Sequence, residues 1–403
     1  LIDTIAKQLQ EGKMKPEDLN IELIKQTYKD LSSGAKEGFG KSWETQYTKK
    51  GEDTVVTELK KNLYTFAGAK SYAMLETVNK MLYSQDGKMR PFNEYSQLVR
   101  KVNAQYNKHW LQAEYQTARA AAQMANKWQK IQAEKELFPN LRYRTTGDGK
   151  VRDEHVMLNG IVKPVDDPFW GIYYPPNGWR CRCDVVQTAE KVTQDKIADL
   201  DVPDMPGNVG IDEEIFTNNH KFFKLLKTND RAVRNSELMK LNAPLENAYS
   251  NKGKSVKVNI FYDKKDFAEN LESAKIIVDE LKMNVEIRGH INLDKYKNPE
   301  YFINGKLADR KEVSTLRGVM SAFDSLKKQG ASIMVFDFKN FKEFNTKDVT
   351  AKIKGKLNSY KKEWVNQIII INNGKAVLFT KKELFEKFEE VYNSIEKTKS
   401  HYK

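Results

Sequence analysis

The sequence predicts a multidomain chain: a mostly α-helical N-terminal half, a compact irregular α+β segment, and then an α/β domain. Three observations carry this. Apolar residues recur at three- and four-residue spacing in long stretches before Pro139. Prolines and glycines then crowd 143–183 so densely that no long helix fits there. From Val256 onward, short strand patterns alternate with amphipathic helical patterns. The expected divisions are 1–139 helical, 140–190 irregular, 191–253 connector and 254–403 α/β. A chain of 403 residues has room for two or three such domains.

In the first division the helical spacing runs over Asp18–Leu31, Val55–Tyr83 and Asn93–Glu136. Trp110, Leu111, Tyr115, Ala118, Ala122 and Trp128 form one stripe, which reads as interhelical packing rather than a cofactor contact. Pro139 ends the helical region. The connector is weakly patterned and holds Pro203, Pro206 and Pro244. Asn251-Lys252-Gly253-Lys254-Ser255 reads as a linker and domain boundary.

The irregular segment has few aliphatics, but it collects aromatics, Arg, Asp, His155 and both cysteines of the chain. Aliphatic packing alone cannot hold such a stretch, so side-chain hydrogen bonds, ion pairs or a metal must. Cys181 and Cys183 stand at i and i+2, which on a strand turns both thiols to one face. His155 can join them around zinc, with Asp153 or Asp148 as a fourth ligand. The alternative is two reduced, buried thiols beside a hydrogen-bonded histidine. A Cys181–Cys183 disulfide would strain so short a ring. Two cysteines in 403 residues fit a reducing compartment. Arg152, Arg180 and Arg182 are expected to pair internally with Asp148, Asp153, Asp166 and Asp167.

This segment resembles the phage Mu F-like family of minor head, or head morphogenesis, proteins. The resemblance rests on Tyr143, Thr145, Asp148, Arg152, His155, Leu158 and Gly160, then Asp166-Asp167-Pro168-Phe169-Trp170. It closes on Pro175-Pro176-Asn177-Gly178-Trp179 and Cys181-Arg182-Cys183, with Pro206-Gly207-Asn208-Val209-Gly210 beyond. It spans roughly 90–225. It implies a tailed-phage or prophage protein present in few copies, with portal and head proteins as partners. Its place would be the virion head interior, and the host cytoplasm on synthesis or delivery.

In the last division, Val256–Phe261 reads as a strand and Lys264–Leu281 as an amphipathic helix. Val285–Gly289 is a strand, and Asn304-Gly305 marks a hairpin turn between two alternating runs. Ser314–Lys328 is a helix, Ala331–Phe338 a buried strand and Val349–Tyr360 a helix. Gln367–Ile371 and Lys375–Thr380 are strands, and Lys382–Glu396 is the last helix. Counting back from a two-residue turn pairs Ile303 with Lys306, Phe302 with Leu307 and Tyr301 with Ala308. Glu300 then faces Asp309, with Lys311 on the same face. Directly opposed Cβ atoms lie about 4.5–5.5 Å apart, so two acids there call for a cation between them. Mg²⁺ suits carboxylate oxygens, and a neighbouring lysine can orient its water.

The Pro-Glu, hairpin, Asp-x-Lys order resembles the PD-(D/E)xK nuclease superfamily. Within it, the domain looks like the C-terminal tRNase toxin domain of contact-dependent inhibition protein CdiA. The similar stretches are Glu272-Ser273-Ala274-Lys275, Asn298-Pro299-Glu300 with Gly305 through Lys311, and Lys328-Gln329-Gly330-Ala331. The family's usual Asp after Pro is Glu300 here, which lengthens the arm. The resemblance implies that Glu300, Asp309 and Glu272 (Glu269 second) hold Mg or Mn and that Lys311 activates water. It also implies RNA, tRNA above all, as substrate, and an immunity protein as partner. Three alternatives stand beside it. Glu300 and Asp309 can belong to a surface charge ladder with Lys297, Lys306, Arg310 and Lys311. The domain can be a metal-independent ribonuclease of the barnase or RelE-like group, using His290 and Arg288. Or the whole chain is a purely structural, portal-associated head protein.

The formal net charge of +13 and pI of about 9.2 suit a nucleic-acid partner. Lys257, Lys264, Lys265, Lys306, Arg310 and Lys311 offer phosphate contacts. No apolar run approaches the ~20 residues of a membrane span, and no signal-peptide pattern is read, so no membrane partner is expected. The chain opens on Leu1 rather than methionine, so a stretch upstream is expected.

Overall fold

The computed structural model describes residues 1–44, 47, 54–194, 200–359, 365 and 367–399. The chain forms two compact units, Leu1–Thr45 with Asp53–Met239, and Gln46–Glu52 with Lys240–Lys403.

The first unit opens with helices α1 (Ile2–Gln10), α2 (Ile21–Phe39), α3 (Val55–Lys80), α4 (Phe92–Ala104) and α5 (Leu111–Glu134). Their starts are chemically marked. The Asn20 side chain accepts the Leu23 N–H at the head of α2, and Thr54 accepts the Thr57 N–H at the head of α3. The long helix expected over Asn93–Glu136 has its predicted extent, but a π-helical turn, Gln105–Trp110, interrupts its winding. Helices α2 and α5 approach closely because Gly38 leaves room. A Cβ there would lie 1.9 Å from the Arg119 carbonyl oxygen. Lys70 of α3 and Glu114 of α5 form an ion pair, 1% and 4% exposed, in the middle of this layer.

After α5 come β1 (Asn140–Arg144), α6 (Asp153–Val156), β2 (Val162–Pro164), α7 (Trp170–Tyr173) and β3 (Asp184–Thr188). The strands form a small antiparallel sheet in the order β2-β1-β3. Short helices α8 (Val209–Asp212), α9 (Lys221–Leu226) and α10 (Asp230–Leu238) follow. The stretch expected to be a connector is therefore largely packed structure. Phe216, Phe222, Leu226, Ala232 and Met239 are buried, and Phe216 stacks on Phe66 of α3 at 3.8 Å. Helices α8 and α9 carry too few turns to show periodicity.

The second unit contains β4 (Leu245–Asn251), β5 (Lys254–Asn259), α11 (Phe267–Leu281), β6 (Val285–Ile287), β7 (Tyr301–Ile303) and β8 (Lys306–Glu312). It continues with α12 (Leu316–Gln329), β9 (Ile333–Asp337), α13 (Thr346–Ser359), β10 (Gln367–Asn372) and β11 (Lys375–Thr380). It ends in α14 (Lys381–Glu386) and α15 (Phe388–Glu396). The end of the expected Val349–Tyr360 helix, Tyr360, lies outside the described residues. The last expected helix is two, broken at Lys387 with φ −126° and ψ 45°.

Among the described residues of this unit, the eight strands join one mixed sheet in sequence order, β4 through β11. Neighbours pair in parallel at β5/β6, β8/β9 and β9/β10 and antiparallel elsewhere. Strand β4 corrects the sequence reading. Asn251 pairs with Lys254, and Lys252 and Gly253 take φ of 47° and 77°. Two consecutive positive φ angles make the hairpin turn whose twist suits flanking strands. The supposed linker is thus a turn inside the sheet, and the chain belongs to the second unit from Lys240 onward.

Helix α11 covers one face through Phe267, Leu271, Ala274 and Ile277, against Val256, Val285, Ile303 and Val335. Helices α12, α13 and α15 cover the other through Phe323, Ile353 and Ile395, against Met334, Phe336 and Ile370. Each fully buried aliphatic or aromatic side chain contributes roughly 1.5–3 kcal/mol, so these two layers hold the sheet rigid. A polar group buried within such a sheet stands out. Among the described residues, no helix is long and apolar enough to cross a membrane.

Candidate functional site

The β7–β8 hairpin places three of the predicted residues together. Tyr301 pairs with Ala308, Phe302 with Leu307 and Ile303 with Lys306, the register counted from Asn304-Gly305. The Arg288 N–H donates to the Glu300 carbonyl at 2.9 Å, extending the β6–β7 ladder by one residue. The Arg288 guanidinium donates to the Pro299 carbonyl at 2.7 Å. These bonds fix Glu300 beside β8. Its Oε2 accepts from Asn270 Nδ2 of α11 at 2.7 Å.

Asp309 is completely buried, and neither carboxylate oxygen accepts a well-formed hydrogen bond. The Lys311 ammonium, 30% exposed, lies 3.0 Å from its Oδ2. Burial raises the Glu300 pKa to about 7, and the Asp309 charge adds to this while Lys311 opposes it. Burial likewise raises Asp309, again against the pull of Lys311. A buried and a half-buried carboxyl thus sit beside one partly exposed ammonium. A buried carboxylate met by so few donors is costly in a protein interior.

Strand alternation sends Arg310 to the opposite face. It is 7% exposed, and its Nη2 donates to Asp337 Oδ2 at 2.7 Å. Its Nε donates to Ser273 Oγ at 2.8 Å, and Ser273 donates to the same Asp337 oxygen at 2.8 Å. Arg310 is therefore a structural cation and not the phosphate contact expected of it. Of the other expected contacts, Lys257, Lys264, Lys265 and Lys306 are exposed.

Glu272 does not join the pair. The buried face of α11 carries Asn270, Ser273 and Ala274, and Glu272 falls between them on the exposed side. Its partner is Lys339 at 3.9 Å, which also lies 3.8 Å from Glu312. Glu269 is half-buried. The acid of this helix whose charge bears on Glu300 is Asp266, one turn before Asn270. His290 lies 3.3 Å from Asp263 through Nδ1 and 3.4 Å from Asn298 Nδ2 through Nε2. Sequence reasoning missed Asn270, Ser273 and Asp337. The helical phase of α11, read from Phe267, Leu271 and Ala274, would have selected the first two.

The first unit brings its own predicted cluster together. His155 lies on the single-turn helix α6, and the cysteines flank Arg182 just before β3. His155 Nδ1 is 3.7 Å from Cys181 Sγ and 3.6 Å from Cys183 Sγ. Among the described residues this is the one group of three or more His, Cys, Asp or Glu whose donor atoms gather within 4.8 Å. His155 and Cys181 are buried, and Cys183 is half-buried. The two suggested fourth ligands go elsewhere. Asp148 forms a two-bond pair with Arg182 at 2.6 and 2.8 Å, which holds its carboxyl down to about 2. Asp153 is exposed at the start of α6. Arg152 donates to the Trp179 carbonyl at 2.7 Å, and the Tyr143 hydroxyl donates to Asn177 Oδ1 at 2.8 Å. Asp166 pairs with Lys135 at 3.0 Å rather than with an arginine.

Comparison with known proteins separates along the same two parts. Residues 67–186 match the family described as phage Mu protein F like protein. Residues 297–376 match the contact-dependent growth inhibition CdiA C-terminal domain. The putative capsid assembly protein F of Escherichia phage Mu is 48% identical over 50 residues, 12% of this chain and 11% of that protein. The Mu-like prophage FluMu F protein of Haemophilus influenzae is 33% identical over 101 residues, 25% of this chain and 22% of that protein. The matched segments thus span less than a quarter of those relatives. A solved CdiA-CT/CdiI toxin and immunity complex from Burkholderia pseudomallei aligns with 29% of this chain and 85% of its own, at 19% identity and a TM-score of 0.23. The chain therefore carries a phage Mu protein F-like segment followed by a segment like the CdiA C-terminal domain.

Proposed function

We propose that the protein is a phage or prophage minor head protein whose C-terminal unit is a metal-dependent nuclease of the PD-(D/E)xK kind, a toxin acting on RNA and foremost on tRNA. The observation that carries this reading is Asp309, fully buried, with one partly exposed ammonium, Lys311, against its carboxylate and a second carboxyl, Glu300, beside it. Such carboxylates are unfavourable in an apoprotein and well suited to a hard cation. Glu300 and Asp309 would hold Mg²⁺ or Mn²⁺, which takes one or two carboxylates and keeps several waters. The ion supplies a water of lowered pKa and neutralises charge on the scissile phosphate. Lys311, partly exposed on the same face, orients the attacking water. Asn270 holds Glu300 in place. Lys306, Lys257 and Lys265 meet the phosphate backbone, which makes binding salt-dependent.

The Mu F-like segment would carry the protein into the virion head through portal and head proteins. A toxin made in the host cytoplasm needs a small immunity protein to silence it there.

The test is cleavage by the full chain of total tRNA, rRNA and duplex DNA, with Mg²⁺ or with EDTA. Metal-dependent cutting of tRNA supports the reading. Cutting that survives EDTA moves the assignment to a metal-independent ribonuclease using His290 and Arg288. No cutting of any substrate leaves a purely structural head protein.

A further inference from the structure

We propose that His155, Cys181 and Cys183 bind one zinc ion through Nδ1 and two thiolates, with the fourth coordination position open to water or an incoming donor. The geometry is already that of a coordination sphere. Zn–N of about 2.0–2.1 Å and Zn–S of about 2.3 Å at a tetrahedral angle place nitrogen and sulfur about 3.6 Å apart. The observed separations are 3.7 and 3.6 Å.

Hydrogen bonds link Cys181 to Cys183 and Cys183 to Tyr143, but they do not require both sulfurs to converge on one ring nitrogen. The Nδ1 atom of a neutral imidazole offers a single lone pair, which one S–H donor satisfies. Here two sulfurs converge on the same ring nitrogen, and one of them belongs to a residue that is 6% exposed. A cation placed between the three atoms uses every lone pair aimed at it. A disulfide is the other way to remove the thiols, but both cysteines are free, and a Cys-x-Cys ring is strained.

The donor set selects the metal. Two thiolates and an imidazole are soft and borderline ligands, suited to zinc and poorly matched to Mg²⁺ or Ca²⁺. Neither Asp148 nor Asp153 completes the sphere, since the first is held by Arg182 and the second is exposed. Among the described residues three protein ligands gather, and three with an open place is the pattern that admits an external donor.

The ion would join the α6 turn to the loop before β3. Binding energy at such a site is folding energy.

The test uses the full chain purified under reducing conditions without chelator. Elemental analysis should find one zinc per chain, and cobalt exchange should give a thiolate-to-cobalt charge-transfer absorption. Cys183→Ser and His155→Gln should each lose the metal while circular dichroism still shows a folded chain. Asp309→Asn should keep it, which separates this site from the proposed nuclease centre. Protein free of zinc, with both thiols open to alkylation and a melting temperature indifferent to added zinc, would overturn the assignment. So would zinc that stays in Cys183→Ser and leaves in Asp309→Asn.

Discussion

The two clusters crowd ionisable groups in different settings. Glu300, Asp309 and Lys311 sit on or beside a strand pair whose register follows from one Asn-Gly turn. His155, Cys181 and Cys183 sit on a single helical turn and a loop. On a strand, alternation lets the face of every side chain be counted. On a loop, residue identity can announce a site while its geometry stays hidden until the chain is folded. The contrast also shows in what surrounds each site. The carboxylates lie in a sheet packed on both faces, whereas hydrogen bonds and ion pairs such as Asp148–Arg182 tie the loop cluster together.

The sharpest way to break this comparison is to treat neighbours on β8 separately. Arg310→Met leaves the buried Asp337 carboxylate without its cation and should cost about 3–5 kcal/mol in chemical denaturation. Lys311→Met, one residue on and facing the other way, takes a partly exposed ammonium from buried Asp309, whose raised pKa lets it protonate instead, so it should cost clearly less stability than Arg310→Met while nuclease activity is lost. Equal effects on stability would mean that the two faces are not distinct. In the first unit, Lys70→Met strands Glu114 in the helical layer, with an expected loss of similar size, about 3–5 kcal/mol.

A smaller effect tests the loop side. Tyr143→Phe removes the hydroxyl that donates to buried Asn177, and about 1–3 kcal/mol should be lost in thermal or chemical unfolding. No loss would show that the irregular segment does not rely on such bonds.

The smallest effect is a pH slope. His220 caps α9 by accepting the Phe222 N–H through Nδ1 at 3.2 Å, and burial lowers its pKa from 6.5 to about 4. The unfolded chain therefore binds this proton first as pH falls. The contribution of His220 to stability is complete above pH 6.5 and disappears as pH drops through about 4. His220→Asn keeps a capping acceptor but does not titrate, so unfolding midpoints across that window should fall less steeply in the variant.

Much of the second unit was legible because it obeys short rules. The alternation of strands and helices, the hairpin register and the shared face of Asp309 and Lys311 all follow from period-two counting and one turn. Strand β4 escaped because its burial alternates only weakly and its Lys252-Gly253 turn resembles a linker in composition. Glu272 was misplaced because motif order says which residues recur and nothing about helical phase. Counting from Leu271 and Ala274 turns it outward. In the first unit, the cysteines and histidine were visible as a signature, but their shared nitrogen was not. The π-helical turn left no mark in the apolar spacing, and helices α8 and α9 were too short to leave one.

The role of the Glu300–Asp309 pair is tested by tRNA cleavage by the full chain across a Mg²⁺ titration, comparing Asp309→Asn, Glu300→Gln and Glu272→Gln with the parent. The account predicts saturable, EDTA-sensitive cutting by the parent, loss of at least a hundredfold in the first two variants, and near-parent activity in Glu272→Gln. Cutting by Asp309→Asn at the parent rate, or equal loss in Glu272→Gln, would contradict it.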